Sequence, residues 1–370
     1  MHDERIIAVA AAEPAARIVG IELYANSHEY GWRSDTMAPF EKRSLFAGDR
    51  RGRHSRVTLA YRVVRSCWAV RARHVFMCGH GTPGIFLASL ALRLIGTRVY
   101  AMTDSKYDDM PRRLPKEIAK AAYYRLFSGA IVASSRAADY LRFLGFGRRP
   151  IVFDYDNRSV AAIRQAIGDV AQPVFADRPF VCIARLVPKK NHSLLLRAFA
   201  HYAAEQRASP RRLVLCGSGA LEDELRALAE TLGIAELVDF RGWEDETVVA
   251  RTLSQGLCLV LASREEQFGI AVIEALAAGR PVIVTEPVGA RDCFVRTARE
   301  GFVVEPDNVE GLAFFMALLG RDEALWRTMC GHALATATRT DASAFARSAW
   351  SLIHAGHETP STRDIGSSMA

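Results

Sequence analysis

Hydrophobic and polar positions along the chain repeat one alternation in two successive stretches. A short run of β-branched and aliphatic residues is followed by a longer segment with apolar positions three and four apart. Short runs without polar alternation suit strands buried on both faces, and longer periodic segments suit the helices that cover them, the pattern of parallel sheets built from βαβ units. In the first stretch strands are predicted at 74–79, 98–102, 130–134 and 150–154, with helices at 83–95, 115–127 and 136–144. Between 165 and 179 the period fails around Gly168, Pro173 and Asp177, which predicts a linker. The alternation restarts with strands at 180–186, 212–216, 237–240, 258–262 and 281–285 and helices at 193–205, 221–232, 247–254 and 270–278. Helical segments follow over 310–354, and the Ser, Thr and Gly-rich tail from His357 predicts disorder. Two α/β domains of similar size result, 1–170 and 171–340, with a helix at 341–356 and the tail at 357–370.

Length agrees with that division, since 370 residues exceed the usual domain of about 100–200. Half the residues are hydrophobic and 24% are charged, which excludes a wholly disordered or collagenous chain. The longest apolar run, 84–96, is interrupted by Arg93 and falls short of the roughly 20 residues a membrane-spanning helix requires. A charged start, Met1-His2-Asp3-Glu4-Arg5, does not read as a secretory signal, so the expected compartment is the cytoplasm. The seven cysteines are scattered without a CxxC pair and read as buried thiols rather than a metal or redox site. The net charge of +7 gathers early, in Lys42, Arg43, Arg50, Arg51, Arg53, Arg56, Arg62, Arg65, Arg71 and Arg73. No zinc-finger, RNP or basic-heptad spacing accompanies it, so nucleic acid is not an expected partner. Two readings remain for this basic face: plain solvation, or docking to an anionic membrane through Arg50, Arg51, Arg53 and Arg56 with Phe46 as an apolar anchor.

Ligands of open parallel sheets gather where strands end, which directs attention to the loops of the second stretch. After the strand at 180–186, Arg185 and Lys190 bring two cations to the start of the next helix, an arrangement suited to a diphosphate. The strand at 212–216 runs into Gly217-Ser218-Gly219, either a plain tight turn or a place of close ligand approach. The strand at 258–262 leads through Glu266, Gln267, Phe268 and Gly269 into a helix that begins near Ile270 and carries Glu274 among apolar residues. Burying a carboxylate there requires a specific partner. The first-turn amides lie between Glu266 and Glu274, so the two can grip opposite ends of a ligand whose phosphates rest on those amides.

These motifs, together with Gly279-Arg280-Pro281-Val282, resemble the retaining glycosyltransferases of family 4, over essentially all of 180–301. The resemblance implies the GT-B fold: two facing Rossmann-like domains with parallel sheets, the donor held by the carboxyl-terminal one and a final helix crossing back to the other. It implies transfer of a hexose from a nucleotide diphosphate sugar to an acceptor hydroxyl, with no cofactor and no metal. Arg185 and Lys190 would hold the diphosphate, Glu266 the transferred sugar, and Glu274 the ribose. Gly217, Phe268, Gly269 and Ile270 would line the donor site. Trp243 falls at the base position, where packing is an equal reading. The acceptor would be a glycan or lipid-linked glycan of bacterial polysaccharide assembly, handled in the cytoplasm or at the inner membrane face. A sugar phosphorylase, a sugar-nucleotide epimerase and a non-catalytic nucleotide-sugar binder are the rival readings.

The first stretch departs from the family. Its members open with a strand and a Gly-rich loop, whereas this chain starts with a predicted helix at 3–11 and a strand at 17–24, so the first strand is missing. Either the start is misassigned or truncated, or the amino-terminal sheet has lost an edge. The family's His after the strand at 98–102 aligns with Thr103, or with Asp104 after a shift of one. Asp104 is therefore a candidate polar group beside the reacting sugar, or a turn cap. Thr103, Lys106 and His80 complete the expected acceptor side, His80 as a cleft residue or part of a structural turn.

Overall fold

The computed structural model describes residues 2–24, 40–46, 54–78, 82–206 and 209–355. Its carboxyl-terminal half is one six-stranded parallel sheet in the order β12-β11-β10-β7-β8-β9. The strands are β7 (Phe180–Ile183), β8 (Leu213–Cys216), β9 (Val238–Gly242), β10 (Cys258–Leu261), β11 (Val282–Thr285) and β12 (Gly301–Val304). Every residue of β8, β10 and β11 is buried, as expected of strands covered on both faces. The covering helices are α7 (His192–Glu205), α8 (Glu222–Thr231), α9 (Glu246–Gln255), α10 (Ile270–Ala277), the short α11 (Arg291–Phe294), α12 (Val309–Arg321) and α13 (Glu323–Ala337). Because β7 lies between β8 and β10, strand order reverses between β7 and β10. A crevice opens at their carboxyl ends at such a reversal.

The amino-terminal half is built differently. Strands β3 (His74–Met77), β4 (Arg98–Thr103), β5 (Gly129–Val132) and β6 (Ile151–Val152) form a four-stranded parallel sheet, while β1 (Val19–Glu22) and β2 (Glu41–Ser44) pair only with each other. Among the described residues the half is therefore two separate parallel sheets rather than one sheet short of an edge. Ile21, Leu23 and Leu45 still pack against the core formed by Leu59, Val63, Met77, Ile85 and Val132. The helices are α1 (His2–Ala12), α2 (Arg56–Ala69), α3 (Pro83–Leu94), α4 (Leu114–Tyr124), α5 (Ser135–Phe143) and α6 (Val160–Ile167). The last helix, α14 (Ala342–Ala355), packs along α1 and against β5, and its Trp350 Nε1 donates to the Val9 carbonyl at 3.1 Å.

Several sequence expectations shift. The predicted linker at 165–179 starts late, because α6 runs to Ile167 and ends on Gly168 at φ +57°. Strand β2, Glu-Lys-Arg-Ser, has no apolar residue to announce it, and β12 and α2 were not predicted either. Phe46 cannot anchor the chain in a membrane: it is 1% exposed, its ring stacked on His54 at 3.9 Å and covered by the Arg62 guanidinium at 4.4 Å. Arg50, Arg51, Arg53, His80 and the tail at 357–370 lie outside the described residues.

Candidate functional site

The crevice between β7 and β10 collects the residues on which the donor reading rests. After β7 the chain makes a tight 3-10 turn over Pro188–Lys190, and Asn191, in the left-handed region, leads into α7. The backbone amides of Arg264 and Glu265, after β10, donate to the Lys189 carbonyl at 2.9 and 3.3 Å, joining the two strand-end loops. That junction sets Lys190 Nζ against the Glu266 carboxylate in an ion pair with both side chains largely buried. Ser263 Oγ donates to the same carboxylate at 3.3 Å. Arg185 is exposed at the rim.

Gly269 caps α10 at φ +94°, in the left-handed region, and offers no side chain to its first turn. The amides at this end are oriented toward the crevice mouth beside Glu266, where an anion would gain from them. Phe268 has a different role from that expected: it is 2% exposed and packs edge-on to Phe294, so its side chain braces the loop. Ile270 is half-buried. Gly217 is required by the protein's own backbone, because a Cβ there would fall 2.0 Å from the Ala184 carbonyl oxygen. Its amide donates to the Gly242 carbonyl at 2.6 Å, which ties β8 to the end of β9. Trp243, just beyond, is 59% exposed, so the packing alternative does not account for it.

Glu274 has the specific partner its burial demands. Arg158, 4% exposed, donates to it at 2.7 Å and also pairs with Glu4 of α1 at 2.8 Å and Glu246 of α9 at 2.9 Å. Burial pushes the Glu274 carboxyl up, and the Arg158 charge opposes that rise. Burial alone would raise Glu4 too, but its hydrogen bond and charge contact with Arg158 hold it below the usual carboxylate range. One guanidinium thus joins the two halves of the molecule through three carboxylates. A small cavity beside it is lined by Glu4, Arg158, Ile163, Glu246 and Glu274.

Across the crevice, the ends of β4 and β6 supply a second acidic group. Ala133 donates to the Thr103 carbonyl and Tyr155 to the Val132 carbonyl, so the backbones at Asp104 and Asp156 leave the sheet at the same edge. Burial raises the Asp104 carboxyl, and the charges of Asp109 and Glu266 add to the rise. Burial, with the charge of Asp104, pushes Asp156 up to about 7 against the opposing Arg5. Arg5 of α1, 2% exposed, lies 3.6 Å from Asp156 and over the Tyr155 ring. Thr103 is buried, its Oγ1 accepting from the Ser105 amide at 3.2 Å. Lys106 is fully buried, and its ammonium donates to Asp109 and to the Glu266 carbonyl, both at 2.7 Å. It therefore fixes the loop after β4 to the loop after β10. Arg136 at the start of α5 makes a parallel tie, to Asp292 at 2.8 Å and to the Glu286 and Val288 carbonyls at 3.0 Å.

Sequence reasoning missed Asp156, Arg158, Arg5, Glu4 and Arg136. A usable signal for the first two was present: Asp154-Tyr155-Asp156-Asn157-Arg158 stands at the end of a predicted strand, where ligands of open parallel sheets gather. Glu4 and Arg5 carried no such signal, because their partners lie about 150 positions away.

Residues 173–330 match the family described as glycosyl transferases group 1. The D-inositol 3-phosphate glycosyltransferase of Streptomyces scabiei is 35% identical over 158 residues, which are 40% of this chain and 34% of that one. The lipopolysaccharide core biosynthesis glycosyltransferase LpsE of Rhizobium meliloti is 29% identical over 225 residues, 60% of each chain. The matched region thus spans between a third and three fifths of these relatives' lengths. Among solved structures, the sucrose-phosphate synthase of Thermosynechococcus elongatus superimposes with a TM-score of 0.74 at 19% identity, over 95% of this chain and 92% of that one. HepE of Anabaena, solved with UDP and glucose, gives 0.72 at 17% identity over 95% of each. The split amino-terminal half therefore does not disturb the overall architecture: the chain has the GT-B fold, and residues 173–330 of its carboxyl-terminal half match the group 1 glycosyltransferases.

Proposed function

We propose that the protein transfers a hexose from a nucleotide diphosphate sugar to a hydroxyl of a glycan or lipid-linked acceptor, with retention at the anomeric carbon. The observation that carries this reading is the Lys190–Glu266 pair beside the capless start of α10, at the strand-order reversal of a group 1 domain. In this reading the donor diphosphate takes the place of Glu266 as the partner of Lys190, with Arg185 and the α10 amides stabilising the negative charge that develops on the leaving group. Glu266, released, faces the hydroxyls of the transferred sugar. Trp243 and the backbone at Gly217 receive the nucleoside, and Glu274 the ribose, with Arg158 holding its carboxylate in place.

Asp104, with Asp156 behind it, borders the acceptor. The attacking hydroxyl approaches from the face the diphosphate leaves, and its proton passes to the departing phosphate, so neither carboxylate has to act as a base. No metal is needed in this reading, since Lys190, Arg185 and the helix amides supply the positive field. The similarity to a relative named for lipopolysaccharide core biosynthesis supports a place in bacterial polysaccharide or glycoconjugate assembly.

The test is a panel of nucleotide diphosphate sugars incubated with the full chain, with release of nucleoside diphosphate followed over time and the anomeric configuration of the product read by NMR. Release from one donor and a product of unchanged configuration are expected. An inverted product, or a burst of sugar phosphate that depends on inorganic phosphate, would overturn the reading.

A further inference from the structure

Residues 50–103 contain ten arginines and no aspartate or glutamate, an excess larger than the net +7 of the whole chain. Helix α2 occupies the middle of this acid-free stretch. Its inner face is buried through Leu59, Ala60, Val63 and Cys67. Its outer face is not the polar surface expected of a helix that meets water. Val57, Tyr61 and Trp68 are 69%, 60% and 68% exposed. Positions 57, 61, 65 and 68 fall on one stripe, with the exposed Arg65 between Tyr61 and Trp68, and with exposed Arg56 beside Val57. Helix α3 packs along α2 and adds Leu94, 79% exposed. Among the described residues no salt bridge involves Arg56 or Arg65, and no carboxylate in the surrounding 54 positions could neutralise them locally.

We propose that the outer face of α2, with the end of α3, docks the protein on an anionic phospholipid bilayer. The chemistry of the stripe selects that occupant. Tyr and Trp place an apolar ring and a polar edge at the level of lipid headgroups, and a helix presenting them among arginines lies in the plane of the interface. The uncompensated arginines meet the negative surface of such a membrane, and the exposed apolar side chains gain by leaving water. The absence of any Asp or Glu over 50–103 and the single stripe of rings among arginines favour a uniformly anionic surface over a protein partner, whose face would carry charges of both signs. The face also has a favourable orientation. Helix α3 connects the parallel strands β3 and β4, and α2 precedes β3 by a short turn, so both run antiparallel to the strands and begin at the sheet edge where the crevice opens. The stripe thus runs from the crevice edge, at Arg56 and Val57, toward the opposite edge, at Trp68 and Leu94. The docking itself does not depend on the transfer reaction.

Flotation of the full chain with vesicles tests the proposal. Wild type is expected to float with phosphatidylcholine vesicles containing about a third phosphatidylglycerol, to remain in solution with pure phosphatidylcholine, and to be released as salt rises from about 0.1 to about 0.5 M. The triple change Val57→Ser, Tyr61→Ser, Trp68→Ser and, separately, the double change Arg56→Glu, Arg65→Glu should each lower the bound fraction about tenfold or more while circular dichroism stays that of wild type. The milder Trp68→Phe should retain binding and lose the blue shift of tryptophan emission that wild type shows on vesicles. Equal flotation of wild type and both surface variants would overturn the proposal. So would failure of wild type to bind anionic vesicles while sedimentation shows a dimer that the triple change dissociates, because that face would then cover a second copy of the chain.

Discussion

The two halves of this molecule follow one design and carry it out with different completeness. In the carboxyl-terminal half six parallel strands form an unbroken sheet, and the site lies where strand order reverses. In the amino-terminal half the sheet divides into a pair and a set of four, and the cleft side of that half is filled from elsewhere: Arg5 and Glu4 of α1 reach Asp156 and Arg158, and α14 returns to cover α1. In the proposed reading, the difference teaches that a donor site and an acceptor site make unlike demands. The first needs amides and charges held by backbone against backbone, as at Gly217 and Ala184. The second is assembled from side chains that reach across the chain, so it tolerates a divided sheet provided the polar network closes.

The largest effect expected from breaking the comparison is on the donor half itself. Gly217→Ala drives a methyl group into the Ala184 carbonyl at a backbone φ of +150°, and should destabilise the fold by about 2–4 kcal/mol. The matched change Gly96→Ala, at φ +87° with open space around it, should cost only about 1 kcal/mol. Chemical denaturation of both variants checks this, and equal losses would show that the donor half is no more tightly built than the rest.

Next come the two glutamates of the donor side. Glu266→Gln should lower kcat by about tenfold to a hundredfold with a smaller change in donor KM, because the sugar gains positive charge as the diphosphate leaves and a carboxylate matters most at that moment. Glu274→Gln should raise donor KM and spare kcat, since a ribose contact is present before and during reaction. Steady-state kinetics at varied donor concentration separates them, and exchanged signatures would refute the assignment.

On the acceptor side Asp104→Ala should reduce turnover more than donor affinity, with wild-type rates meaning that the residue only shapes its loop. The last prediction concerns pH. Asp156 binds its proton with a pKa of about 7 when folded and near 3.8 when unfolded, so between about pH 4 and 7 the folded state holds more protons and stability falls as pH rises. Asp156→Asn removes that slope. Melting temperatures from pH 5 to 8 should therefore decline less in the variant than in wild type, and parallel curves would contradict the assignment.

The donor half was legible because its signals are local. Strands buried on both faces show as apolar runs, and Arg185, Lys190, Glu266 and Glu274 each stand a few positions beyond or within a recognisable element. The amino-terminal half was legible in helices α1, α3, α4 and α5, in β1 and the four-stranded sheet, and in Asp104, but not in α2, β2 or the side-chain network behind Asp104. Strand β2 is entirely polar, and pairing along one edge of β1 leaves no periodicity to read. Arg158 looks like any loop arginine until Glu4, Glu246 and Glu274 surround it, from elements 154, 88 and 116 positions away. Lys106 was placed among acceptor contacts from its loop. Its bond to the Glu266 carbonyl, 160 positions on, makes it a strut between the two sides instead.

The central claim is that Lys190 exchanges Glu266 for a donor diphosphate, and calorimetric titration of the full chain with UDP, GDP and ADP tests it most directly. One of the three should bind wild type, and Lys190→Ala should weaken that nucleotide by about tenfold to a hundredfold, the scale of a lost charge-assisted hydrogen bond. Glu266→Gln, which frees Lys190 from its internal partner, should bind the same nucleotide as tightly as wild type or more tightly. Undiminished binding to the Lys190→Ala variant, or the absence of binding by any of the three to wild type, would contradict the account.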